Sequence, residues 1–116
     1  MINGIGTDII EISRIKSAIS KEKFLKKVYT DKEIELIKKQ GVSTAAVNFA
    51  AKEAVAKAFG TGFRGFGLKD IEILRNNLGC PYVVLHGVAK DLTGGKNINI
   101  SLSHCKEYAV AFVILS

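Results

Sequence analysis

The sequence predicts an α+β fold in which an antiparallel sheet packs against helices lying on one side. The first sign is order: one strand-like segment opens the chain, four helical patterns follow, and most strand-like segments come after them. The second is NINISLS (97–103), whose strict polar and apolar alternation marks a half-buried strand. Across the tight connection His104 to Glu107 it is followed by YAVAFVIL (108–115), a continuously apolar run suited to a central strand. The third is negative: strand and helix do not alternate as βαβ units would require.

INGIGTDII (2–10) reads as a short strand whose glycines admit other backbone or a ligand at close range. From Glu11 to Ile19 the positions Ile12, Ile15 and Ile19 recur at helical spacing, and Phe24, Leu25 and Val28 repeat the pattern over 23–29. Thr30-Asp31-Lys32-Glu33 fits a capping box, so a third helix runs to about Gln40, with Gly41 as its stop. Ser43 or Thr44 caps a fourth helix that continues to Phe59 and ends at Gly60. After the glycine-rich loop 60–67, DIEILR (70–75) alternates, NNLGCP turns, and YVVLH (82–86) is a second β run. A short helical segment over 88–92 leads through Gly94-Gly95 to the last two strands.

The length, with 47% apolar residues, suits one domain over 1–116, and a chain this small gains stability by associating with copies of itself. The net charge of +6, from 17 lysines and arginines against 11 acids, favours an acidic partner, a phosphorylated ligand or a nucleic acid without choosing among them. Cys80 and Cys105 lack zinc-ligand spacing and read as free thiols. The N-terminus lacks the basic start and long apolar run of a secretory leader, and no segment approaches the roughly 18 apolar residues of a membrane span. A cytoplasmic protein with no membrane partner is expected.

GTGFRG (60–65) matches the dinucleotide fingerprint in letters alone, because its glycines follow a helix and precede a strand, the reverse of what that fingerprint needs. Gly60, Gly62 and Arg64 serve equally as a helix stop with a turn or as a cradle for phosphate. In FAAKEAVAKAFGTG (49–62), Glu53 and Lys57 stand one helical turn apart, either as a solvated ion pair or as part of a site. Alanines at 50, 51, 54, 56 and 58 make the helix narrow and place its charges at a crevice. Asp8 and Glu53 together supply the one or two carboxylates that magnesium takes, although helix-start chemistry explains Asp8 as well. Ser101 and Ser103 share one side of a strand that ends at His104, and no G-x-S-x-G is present to make a hydrolase nucleophile.

GIGTDIIEISRI (4–15), FAAKEAVAKAFGTG (49–62), GFGLKDIEIL (65–74), GCPYVVLHG (79–87) and SLSHCKEYAVAFVI (101–114), in this order, resemble the holo-[acyl-carrier-protein] synthases, the small 4′-phosphopantetheinyl transferases. The resemblance implies the 4′-phosphopantetheinyl transferase fold, transfer of the phosphopantetheine arm of coenzyme A to a serine of an apo acyl carrier protein, and a magnesium requirement. It also implies a role in fatty acid biosynthesis and a homotrimer with active sites between subunits. Carried over by position, Asp8 and Glu53 look like the magnesium ligands and Lys57 like the cation on the coenzyme A pyrophosphate, the three forming the catalytic set. Ser101, Ser103 and His104 look like the lining of the coenzyme A site, with Lys52, Gly60, Gly62 and Arg64 beside them, while Lys52 acts on phosphate or on solvent. Arg14 resembles the residue that meets an acidic helix of the carrier, and Lys21, Lys23 and Lys26 would steer that partner. One departure stands out: Asn48 occupies a position where the family commonly has arginine.

Two other classes compete with this one. A basic nucleic-acid module would need exposed aromatics among its cations, and only Phe63-Arg64-Gly65-Phe66 suggests them, so no nucleic-acid partner is expected. A magnesium-dependent hydrolase would use the same acids with water as nucleophile.

Overall fold

The computed structural model describes residues 1–116. Strand β1 (Gly4–Glu11) is followed by helices α1 (Ile12–Ile19), α2 (Glu22–Val28), α3 (Asp31–Gln40) and α4 (Val42–Phe59). A short 3₁₀ turn (Leu68–Asp70) then leads to β2 (Ile71–Arg75), β3 (Pro81–Leu85), α5 (Gly87–Thr93), β4 (Ile98–His104) and β5 (Tyr108–Leu115). All strand pairing is antiparallel, as expected, but the strands divide into two sheets, one of order β1-β5-β4 and one of β2 with β3. No helix is long and apolar enough to cross a membrane.

The Thr30–Glu33 capping box forms: Thr30 Oγ1 accepts from the Glu33 amide, and the Thr30 amide donates to Glu33 Oε1. Two boundaries differ from the sequence expectation. Glu11 stays in β1, where it pairs with Tyr108, before the chain turns into α1. α4 begins at Val42 with no side-chain cap, because Gly41 at φ 97° makes the turn and the Thr44 hydroxyl donates back to Gln40 instead.

α4 is the central element. Its alanines, Ala45, Ala46, Ala50, Ala51, Ala54, Ala56 and Ala58, are buried on several sides. The N-terminal half packs with Ile15, Val28, Tyr29 and Ile37, and the C-terminal half with Ile71, Ile73, Ala111, Val113 and Leu115. The sheet β1-β5-β4 is covered by α4 on one face only. Ala109, Ala111 and Val113 therefore point inward, whereas Tyr108 and Phe112 of the same strand remain exposed with Ile5 (60% exposed) and Ile9 (62%) of β1. β5 is central, as its composition predicts, yet its second apolar face has no cover within the chain.

Candidate active site

Two glycines set the distance between β1 and α4. A Cβ at Gly6 would lie 1.8 Å from the Ala54 carbonyl oxygen, and one at Gly4 would lie 2.1 Å from that of Ala58. Only glycine admits a helix backbone this close to a strand. The close approach brings the edge of β1 within reach of the exposed side of α4. Lys57 Nζ donates to Asp8 Oδ1 (3.2 Å) and to the Thr7 carbonyl (2.9 Å), so it reaches across to the strand rather than back to Glu53. Glu53, one turn earlier, is half-buried. Burial raises its pKa above the ordinary carboxylate value and the negative charge of Asp8 adds to the rise, while Lys57 opposes it. Asp8, Glu53 and Lys57 are thus electrostatically coupled across 45 and more residues of chain.

No third aspartate, glutamate, histidine or cysteine joins them to make a closed metal-binding cluster. Two oxygen donors with open surroundings suit magnesium, which keeps several waters or phosphate oxygens in its shell, and do not suit a structural zinc.

Ser101, Ser103 and His104 lie on β4, at the opposite edge of the sheet. Asp8 pairs with Ala111, which pairs with Leu102, so β5 stands between the two groups and separates their strands by about 10 Å. Ser101 and His104 open on a cleft of about 370 Å³ whose walls also include Gln40, Thr44, Arg75 and Pro81. Ser103 is exposed on the outward face of the strand and does not line this cleft. A single chain therefore brings together Asp8, Glu53 and Lys57, and separately Ser101 and His104.

The loop after α4 is a helix stop packed by aromatics. Gly60 closes the helix at φ 79° and Gly62 turns at φ 66°, conformations that favour glycine. Phe66 is buried with its ring 5.7 Å from Phe59 and 5.4 Å from Phe63. Arg64 is exposed. The aromatics beside it are turned inward, so they form no stacking platform for bases.

The expectation that Lys52 meets coenzyme A or solvent is overturned. Lys52 is wholly buried, and its ammonium donates to Glu33 Oε1 (2.7 Å) and to the carbonyls of Leu68 and Ile71, which occupies all three N–H groups. Its ammonium lies 5.5 Å from the ring centroid of Tyr29. Tyr29 donates to the Ala45 carbonyl at 2.8 Å, and its pKa is pushed well up by burial, with Glu33 adding to the shift. Asn48 belongs to the same buried network: its amide donates to Glu33 Oε2 (3.1 Å) and to the Ile73 carbonyl (3.0 Å).

The sequence model of the 4′-phosphopantetheinyl transferase superfamily matches residues 4–113. The chain belongs to this superfamily. Among similar members, the holo-[acyl-carrier-protein] synthase of Fusobacterium nucleatum is 51% identical, with 99% of each chain covered. The holo-(acyl-carrier-protein) synthase of Bacillus anthracis, solved in complex with CoA (3′,5′-ADP), is 36% identical. It superposes with a TM-score of 0.85 over 99% of this chain and 96% of that one. The Helicobacter pylori synthase, solved in complex with coenzyme A, is 33% identical with a TM-score of 0.87 over 97% and 99%.

On this phosphopantetheinyl transferase scaffold the basic residues of the first two helices are open to solvent. Arg14 on α1, Lys21 at the start of α2, and Lys23 and Lys26 within α2 are all exposed. Lys26 lies 3.4 Å from Glu22, a solvent-screened i,i+4 pair that adds little to stability.

The residue that sequence reasoning missed is Arg75. It lines the cleft with Ser101 and His104, and its guanidinium donates to Asn48 Oδ1 at 2.8 Å. A signal for it was present: Ile71 and Ile73 alternate inward in β2, and Arg75 falls on the same parity.

Proposed function

We propose that this chain, as one domain over residues 1–116, transfers the 4′-phosphopantetheine moiety of coenzyme A to a serine of apo acyl carrier protein, releasing adenosine 3′,5′-bisphosphate and serving fatty acid biosynthesis in the cytoplasm. The observation that carries the reading is the meeting of Asp8, Glu53 and Lys57 at the edge of β1. Membership of the superfamily supports it, as do the coenzyme A complexes of two similar synthases.

Attack by the carrier serine on the β-phosphorus places negative charge on the pyrophosphate oxygens, so the site has to hold and neutralise that charge while aligning the nucleophile. Asp8 and Glu53 would hold Mg²⁺, which when bound supplies Lewis-acid polarisation of the pyrophosphate and stabilises the departing bisphosphate. Lys57 would present its ammonium to the same oxygens, a role supported by its bonds to Asp8 and the Thr7 carbonyl, which hold it beside that carboxylate. Gly60, Gly62 and Arg64, at the C-terminal end of α4, flank the nucleotide, while Ser101 and His104 line the coenzyme A site from β4 and Ser103, outside the cleft of a single chain, would reach it only in the assembly. Arg14, Lys21, Lys23 and Lys26 attract the acidic carrier.

The assembly that fits this chemistry is a homotrimer in which the β1 edge of one copy meets the β4 edge of the next. The two halves of the site lie on opposite edges of the sheet, and the exposed outward residues Ile5, Ile9, Tyr108 and Phe112 offer the apolar surface that association would bury.

Incubating the protein with coenzyme A, Mg²⁺ and apo carrier tests the proposal. Transfer adds about 340 Da to the carrier, the mass of one phosphopantetheine arm joined by phosphoryl transfer. Cleavage of coenzyme A without a carrier would instead assign the site to a hydrolase.

A further inference from the structure

Arg75 is held in a way that a surface arginine is not. Its Nη2 donates to Asn48 Oδ1 (2.8 Å) and its Nη1 to the Leu74 carbonyl (3.2 Å). Asn48 is wholly buried and fixed in turn by its own bonds to Glu33 and the Ile73 carbonyl. A guanidinium has five N–H donors in a planar fork, and these contacts use two of them. The others make no hydrogen bond within the chain, and Arg75 borders both the cleft of about 370 Å³ that it shares with Ser101, His104, Gln40 and Thr44 and a shallower hollow on the α3 side with Lys32, Glu35 and Tyr82. No aspartate or glutamate lines that cleft, and Arg75 is its one permanently charged side chain. An anchored fork opening on an acid-free cleft beside hydroxyl and imidazole groups is suited to bidentate binding of an oxyanion.

Asn48 stands where the resembled family commonly places arginine, and in this chain the guanidinium next to that position comes instead from β2, with Asn48 as its holder. We propose that Arg75, positioned by Asn48, binds the 3′-phosphate monoester of coenzyme A. This rests on the transferase reading. Coenzyme A carries a pyrophosphate and one monoester; the pyrophosphate belongs with Asp8, Glu53 and Lys57 at the β1 edge, which leaves the monoester for the cleft at the β4 edge. Arg75 is a binding and discriminating residue and takes no part in bond making.

The test is calorimetric titration of the purified protein, without carrier, with coenzyme A and with dephospho-coenzyme A, which lacks the 3′-phosphate. The wild type is expected to bind coenzyme A about 10- to 100-fold more tightly, the range for one charge-assisted contact. Arg75→Gln should abolish that preference while leaving affinity for dephospho-coenzyme A in place, and Asn48→Arg combined with Arg75→Gln should restore most of it. Retention of the wild-type preference by Arg75→Gln would overturn the inference and leave the transferase reading standing, whereas a wild type that binds neither nucleotide would overturn both. Should Arg75→Gln not fold, Arg75→Lys keeps the charge and loses the fork. A preference narrowed several-fold supports the inference, and an unchanged one refutes it.

Discussion

Glu33 Oε1 and Lys52 Nζ lie 2.7 Å apart, and neither side chain touches solvent. One carboxylate thereby joins the cap of α3, the middle of α4 and the amide of Ile73 at the centre of β2. Removing one partner of such a pair leaves a buried charge uncompensated. Lys52→Met is therefore expected to lower unfolding stability by about 3–5 kcal/mol, read from urea titration. The KM for coenzyme A, measured well below the melting temperature, should stay at its wild-type value. A large rise in KM with normal stability would return Lys52 to the active site.

Gly6 gives a steric prediction with a catalytic readout. Its absent Cβ makes room for the Ala54 carbonyl, and Asp8 is two residues further along the strand. Gly6→Ala should cost about 1–3 kcal/mol or more as overpacking, and should also reduce turnover because Asp8 moves relative to Glu53. Gly67→Ala is the control: its Cβ would meet nothing within 4 Å and its φ of −116° suits any residue, so stability and turnover should both be unchanged.

Glu53 makes a pH prediction. Burial and the charge of Asp8 raise its pKa, so acidification protonates it at higher pH than an ordinary carboxylate. Mg²⁺ affinity and turnover should accordingly decline on the acid side starting above the usual carboxylate range. The effect on folding has the opposite sense. A raised folded-state pKa means that the contribution of Glu53 to stability is present below its unfolded pKa and is lost as pH rises through the folded one. At neutral pH without metal, Glu53→Gln should melt no lower than the wild type while abolishing turnover. A lower melting temperature would show that the charge supports the fold.

Arg14→Glu reverses one exposed charge on α1. The KM for carrier should rise by about fivefold, equivalent to about 1 kcal/mol, and the dependence on added salt should weaken, while the KM for coenzyme A remains unchanged. Equal KM values for carrier in the two proteins would remove this face from docking.

The parts of this molecule legible in the sequence are those set by local chemistry. The Thr30–Glu33 box, the Gly60 stop, and the inward Ile98, Ile100 and Leu102 of β4 follow from spacing and turn geometry. Lys52 was not legible because its partners Glu33, Leu68 and Ile71 lie 16 and 19 residues away, and the alanines around it fit a crevice as well as a core. Glu33 looked fully used by its cap, although a carboxylate has further lone pairs. Asn48 looked like a missing contact until β2 delivered Arg75 to it. Residue type left Asp8, Glu53 and Lys57 open between a solvated ion pair and a site, and the motifs shared with the resembled family singled them out, but their separation from Ser101 and His104 depends on the strand order β1-β5-β4, which no local pattern encodes.

That strand order also bears on genetics. With β5 lying between Asp8 and Leu102, a trimer of the proposed kind would draw its acids from one copy and its serines and histidine from a neighbour. Two null alleles, one altered at Glu53 and the other at His104, would then complement each other when co-expressed, although either alone would leave the cell without the enzyme.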